Sequence, residues 1–194
     1  MKISTNNKIG IFAPSGYGKT FLADKIVKSI KNKVIIYDTD YEASTKKYFN
    51  YPQVSIFKPS SAKAEDIESL KDFLHIELQE PNKFIYIEDL DLFFDANSQN
   101  SKGSALLKYI ASKGRHARIG FMYTGKQLAY IPTKLRAMTN LMFIGYYDDR
   151  IEKQRIKETI GKNIYDDYYL NLVPNEHEFL MIDSINRDIK VVRV

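Results

Sequence analysis

Residues 13–20 read Ala-Pro-Ser-Gly-Tyr-Gly-Lys-Thr, a turn-forming run that ends in an ammonium and a hydroxyl. Gly16 and Gly18 allow backbone conformations closed to side chains and bring peptide N–H groups toward an anion. Lys19 supplies charge for β- and γ-phosphate oxygens, and Thr20 offers its hydroxyl to Mg²⁺. The spacing is that of a G-x-x-x-x-G-K-[ST] phosphate loop, with Ala13 in place of the first glycine. Ala13, Pro14, Ser15, Gly16, Tyr17, Gly18, Lys19, Thr20 and Phe21 are the expected nucleotide contacts. A second group follows an apolar run, where Phe-Ile-Tyr-Ile at 84–87 leads into Glu88 and Asp89. One carboxylate can hold Mg²⁺ and the other can orient an attacking water. We assign the metal to Glu88 and the water to Asp89, although the usual order is Asp then Glu. Thr124 and Gln127, in Tyr-Thr-Gly-Lys-Gln, end a third apolar run. They suit sensing of a γ-phosphate or placement of water.

These groups need a scaffold that points several strand ends at one place. Lys8–Phe12 predicts a buried strand, and Phe21, Leu22, Ile26, Val27 and Ile30 recur at helical spacing before a strand in Lys33–Asp38. Further strands are expected at 54–57, 83–89, 118–124 and 141–147. Helices are expected from Pro59 through Leu78, from about 104 to 113, from Pro132, and across 148–161. The last two strands, 178–183 and 189–194, suit an antiparallel hairpin. Strands alternating with helices predict one α/β domain over residues 1–194, with a mostly parallel central sheet covered on both faces and an antiparallel C-terminal edge. With the phosphate loop, the expected arrangement resembles the three-layer, RecA/ASCE-like P-loop NTPases.

The formal net charge of +5 is a weak pointer to an anionic partner, but its distribution is a stronger one. Residues 96–147 contain no Asp or Glu, yet they include Lys102, Lys108, Lys113, Arg115, Arg118, Lys126, Lys134 and Arg136. Such a basic face suits nucleic-acid or phosphate contact. The chain has no cysteine, which excludes disulfides, thiol nucleophiles and thiolate zinc sites. His75, His116 and His177 come without ligand-spaced partners. No apolar run has the length of a membrane span, and the start lacks a secretory signal, so a soluble intracellular protein without stable membrane insertion is expected. The tyrosines of Tyr-Asp-Asp-Tyr-Tyr-Leu-Asn-Leu at 165–172 are expected to pack.

Gly114-Arg115-His116, followed by an apolar strand and Gln127, resembles the FtsK and HerA superfamily of ring ATPases, in particular genome-packaging ATPases of double-stranded DNA viruses. The resemblance runs from Lys8 to about Tyr147 and includes the phosphate loop and the acidic strand end. The Asn, Lys, Ile and Tyr bias and the compact length suit a virus protein, an archaeal virus being one source. The resemblance implies a homo-oligomeric ring, a pentamer or hexamer, that hydrolyses ATP with Mg²⁺ at subunit interfaces. It also implies that the ring pulls double-stranded DNA into a preformed capsid in the host cytoplasm, beside a capsid or portal-vertex protein. It implies an arginine acting in trans, with Arg115 first, Arg118 second, and Arg136 and Arg150 weaker. Lys102, in the polar stretch 97–103, is the DNA-contact candidate in the ring channel. Two alternatives stay open. One is a nucleotide or small-molecule kinase with an Arg150/Arg155 lid and Asp38 or Asp40 at the acceptor. The other is a nucleotide-dependent assembly or secretion switch.

Overall fold

The computed structural model describes residues 3–39, 48, 50–59, 67–94 and 117–194. Strand β1 (Lys8–Phe12) leads through the glycine-rich turn into helix α1 (Lys19–Ser29), and β2 (Lys33–Tyr37) follows. Next come β3 (Val54–Phe57), α2 (Ile67–Glu77) and β4 (Lys83–Ile87). A 3₁₀ turn at Leu90–Phe93 precedes the later elements. These are β5 (Gly120–Gly125), α3 (Thr133–Met138), β6 (Leu141–Gly145), α4 (Arg150–Ile160) and α5 (Lys162–Asp167). Strands β7 (Glu178–Asp183) and β8 (Asp188–Arg193) complete the described part. The expected helix at 104–113 lies outside the described residues.

The strands form one eight-stranded sheet in the order β3-β2-β4-β5-β1-β6-β7-β8. Pairing is parallel from β3 to β6 and antiparallel from β6 through β8. This is the mostly parallel sheet with an antiparallel C-terminal edge that the alternating pattern predicts. The register decides what meets at the C-terminal edge of the parallel strands. Phe12 stands opposite Gly125 and Ile144, and Ile87 stands opposite Tyr123. The ends of β1, β4, β5 and β6 therefore lie at one level. Strand β5 separates the strand of the phosphate loop from the strand of the acids.

Alternate residues of the central strands feed two cores, because side chains alternate between faces. Ile9, Ile11, Phe84 and Tyr86 pack with Leu22, Ala23 and Ile26 of α1 on one face. Phe12, Ile85, Ile87 and Tyr123 pack with Leu70 and Phe73 of α2 and Ile156 of α4 on the other. A strand covered on both sides has no solvent face, which explains the uninterrupted burial of β4. Phe21 departs from the expected apolar stripe and is exposed, with Lys25 over its ring. Tyr165 and Tyr169 are buried and stacked, as expected of packing tyrosines, whereas Tyr168, expected to pack with them, is exposed.

Candidate active site

The turn after β1 reverses into α1 through two left-handed glycines, Gly16 at φ 77° and Gly18 at φ 92°. Residues with a side chain avoid that region. Gly18 forms the N-terminal boundary of α1, whose first turn holds no acid and no side-chain cap. The helix terminus thus keeps its partial positive charge and free N–H donors for an anion. Lys19 is buried, and its Nζ donates to the carbonyls of Ala13 at 2.7 Å and Pro14 at 3.0 Å. An ammonium has three donors, so one more can reach a phosphate oxygen. Burial lowers the Lys19 pKa, against the opposing pull of Asp89 and Asp91. Thr20 and Phe21 are exposed at the start of α1.

Ala13 is accommodated by a glycine far away in the chain. Gly145 ends β6, and a Cβ there would lie 2.7 Å from the Ala13 Cβ and 2.6 Å from Cε1 of Tyr17. The methyl that replaces the loop's first glycine therefore sits in space that Gly145 leaves open. Tyr17 clamps the loop from the same side, donating its hydroxyl to the Glu178 carbonyl at 2.9 Å and packing edge-on against Phe179.

At the end of β4, Glu88 is hydrogen-bonded to Asp38 at the end of β2, and Tyr86 Oη donates to Glu88 Oε1 at 3.2 Å. Burial, and then the neighbouring Asp38 carboxyl, pushes Glu88 up to about 8. Asp89 adopts a left-handed conformation at φ 43°, ψ 52°. Its N–H donates to Thr124 Oγ1 at 2.9 Å, and its carboxylate pairs with Lys126 Nζ at 3.0 Å. Thr124 thus ties β5 to the acid turn.

The turn that carries Gln127 hangs between two buried carboxylates. Asp91 Oδ2 accepts from the N–H groups of Lys126 at 3.0 Å and Gln127 at 3.2 Å. Glu152 of α4 accepts from Leu128 at 3.1 Å and Ala129 at 3.3 Å. Burial raises the pKa of both acids. The Gln127 side chain is exposed at the sheet edge shared with the phosphate loop.

Glu88, Asp89, Thr124 and Gln127, at or just after the ends of β4 and β5, and Lys19, at the start of α1 after β1, therefore lie at one edge of the sheet. Asp38, Asp91, Lys126 and Glu152 join them; the last three were not assigned from the sequence to this site, and Asp38 was named only as an acceptor ligand in the kinase alternative. Asp38 and Lys126 left a signal, an acid closing the buried strand 33–37 and a cation between Thr124 and Gln127. Asp91 and Glu152 left none, since their partners are backbone groups about 25 to 35 residues away. Arg118 is exposed before β5, at the opposite edge of the sheet. Arg136 is corrected as a finger candidate, because it is buried and donates to Thr159 and Thr133. Arg150 is exposed at the start of α4. Arg155 pairs with Glu158, lower on the same helix. Asp40, Lys102, Gly114, Arg115 and His116 lie outside the described residues.

The donors at this edge suit Mg²⁺, which takes oxygen ligands, keeps several waters, and is held by one or two carboxylates plus substrate phosphates. Glu88, its partner Asp38, and the Thr20 hydroxyl are of that kind. No cluster of three or more acidic, histidine or cysteine ligands occurs among the described residues, so an all-protein metal cage is not indicated there. None of their helices is long and apolar enough to cross a membrane.

Solved structures share this architecture at low identity. The DNA-packaging ATPase B204 from Sulfolobus turreted icosahedral virus is 15% identical, with a TM-score of 0.76 over 98% of both chains. The genome-packaging NTPase B204 from Sulfolobus turreted icosahedral virus 2, solved with ATPγS, is 14% identical, with a TM-score of 0.75 over 98% of both chains. EssC (ATPases 2 and 3) from Geobacillus thermodenitrificans is 17% identical, with a TM-score of 0.62 over 97% of this chain and 39% of that one. No curated protein sequence matches significantly. The family model for the helicase HerA central domain (DUF87) matches residues 4–190, almost the whole chain. The likeness first drawn from the phosphate loop, the acidic strand end and Gln127 thus holds at the level of the family: this chain belongs to the HerA central-domain family.

Proposed function

We propose that the chain is an ATPase that works as a homo-oligomeric ring and translocates double-stranded DNA, packaging a viral genome into a preformed capsid. The observation that carries the ATPase reading is the insertion of β5 between β1 and β4. It sets Thr124 and the Gln127 turn between the phosphate loop and the acids, where a water attacking a γ-phosphate would stand. Lys19 and the amides before α1 bind and orient the triphosphate, and Lys126 adds a second cation beside Asp89. Mg²⁺, held by Thr20 and Glu88, would neutralise charge on the β- and γ-phosphates. Asp89 orients the water and accepts its proton, while Gln127 fixes the water's direction. An arginine from a neighbouring subunit completes the site, with Arg115 as first choice; in related systems such a finger contributes about 10³ to 10⁵ in rate. Genome packaging is supported by the likeness to the two B204 proteins, whose names state that role. Double-stranded DNA, a capsid or portal-vertex partner, and action in the host cytoplasm belong to this same reading.

A kinase is less well supported. Asp38 is engaged with Glu88 rather than set apart for an acceptor, and Arg155 is paired with Glu158. The test is ATP turnover with and without duplex DNA across a range of protein concentration. Specific activity should rise with concentration as sites are completed in trans, DNA should stimulate it, and Lys19→Ala should abolish it. Phosphate transfer to a nucleoside would favour the kinase. Turnover insensitive to both DNA and concentration would refute the motor.

A further inference from the structure

Lys126 follows Gly125, the last residue of β5, and its main chain is anchored on both sides. The Gly125 carbonyl accepts from the N–H of Ala13 at 3.4 Å, which ties this point to the phosphate loop. The Lys126 N–H donates to Asp91 Oδ2 at 3.0 Å, and its carbonyl accepts from Tyr147 Oη at 2.9 Å. Asp91 and Tyr147 are themselves buried. The backbone therefore cannot shift without breaking these bonds, whereas the side chain, 44% exposed, can turn about its own flexible stem.

That side chain reaches Asp89, with Nζ 3.0 Å from Oδ2. The contact occupies one oxygen of the acid to which we assign the attacking water. Lys126 also lies within electrostatic reach of Lys19, whose pKa is lowered first by burial and further by the charge of Lys126. Both ammonium groups thus stand beside the phosphate loop. An ion pair this exposed contributes little stability and is readily exchanged. A γ-phosphate offers an ammonium a denser negative charge than one carboxylate does, and charge-assisted hydrogen bonds to phosphate are strong. A diphosphate offers no such group.

We propose that Lys126 is the residue by which this chain tells a nucleoside triphosphate from a diphosphate. Without a γ-phosphate it holds Asp89. With a triphosphate bound it exchanges that carboxylate for the γ-phosphate and leaves Asp89 open to water. This role rests on the ATPase reading above and goes beyond it, because it links release of the water-orienting acid to the presence of a bond to cleave.

The test is calorimetric titration of the full chain, with Mg²⁺, by ADP and by the β,γ-imido analogue of ATP. Lys126→Met should weaken the analogue by about tenfold or more and leave ADP within about twofold of the wild type, since only the analogue meets the lost ammonium. Intact ADP binding also shows that the variant's phosphate loop is folded. In nuclear magnetic resonance of the chain carrying isotope-labelled lysine, the Lys126 side-chain signal is identified by its loss in Lys126→Met. It should stay near its nucleotide-free position with ADP and move with the analogue, and Asp89→Asn should move it without any nucleotide. Equal weakening of both ligands in Lys126→Met, or of neither, overturns the proposal. So does a signal that ADP and the analogue move alike, or that Asp89→Asn leaves in place. If neither nucleotide binds the wild-type chain, or Lys19→Ala leaves binding unchanged, the ATPase reading falls together with it.

Discussion

Gly145→Ala tests the contact by which this phosphate loop tolerates an alanine. The added Cβ would lie 2.7 Å from the Ala13 Cβ and 2.6 to 2.7 Å from two carbons of the Tyr17 ring. Carbon pairs are most comfortable at about 3.5 to 4.0 Å, so the neighbours must retreat by about 1 Å. Tyr17 has little room, being held by Glu178 at 2.9 Å and packed on Phe179. Overpacking of this kind costs about 1 to 3 kcal/mol. Urea denaturation of the wild type, Gly145→Ala, Ala13→Gly and the double variant makes a cycle. Ala13→Gly alone should destabilise slightly, by about 0.4 to 1 kcal/mol, because glycine gains unfolded-state entropy. In the Gly145→Ala background it should recover part of the loss, since one of the two clashes is gone. The coupling should exceed about 0.5 kcal/mol, the usual limit of additivity for independent sites. Nucleotide affinity should fall in Gly145→Ala and partly return in the double variant. A Gly145→Ala chain of unchanged stability, or an additive cycle, would refute the reasoning.

Asp91→Ala leaves the partly buried N–H groups of Lys126 and Gln127 without this acceptor, at about 1 kcal/mol each, and should lower both denaturation midpoint and kcat. Asp91→Asn keeps an acceptor and should cost about 1 kcal/mol or less in the same assays. Lys126→Met removes a partly exposed ion pair with Asp89, so stability should change by less than about 1 kcal/mol. If Lys126 faces phosphate as proposed, the same variant should raise the KM for ATP, measured by steady-state turnover. Glu152, raised above its ordinary 4.5 by burial, contributes stability that is full below that value and is lost as pH rises through the higher folded value. Glu152→Gln should therefore flatten the fall of Tm with rising pH above about 4.5, as read by thermal denaturation at a series of pH values.

Local features of the fold and site were legible because they depend on neighbours in the chain. Gly16, Gly18, Lys19 and Thr20 act within a few residues, and their spacing alone specifies a turn of amides feeding a helix N-terminus. The apolar runs ending in Glu88 and Thr124 announce strands that must be buried, and alternation with helices makes those strands parallel. Chain order does not state lateral order. That β5 lies between β1 and β4 follows from how the helices cross over, and it decides that Thr124 meets Asp89 and that Lys126 faces its carboxylate. Arg136 illustrates the same limit from the other side: its sequence context is a basic stretch suited to solvent, yet α3 turns it into the protein. Sequence by itself determined the phosphate loop, the parallel α/β scheme and the position of the candidate site residues just after buried strands, because dihedral freedom and burial period are properties of short segments. Tertiary structure alone decided the Ala13–Gly145 fit, the Asp38–Glu88 pair and the suspension of the Gln127 turn, because each joins residues that only the packing of distant strands and helices brings within bonding distance.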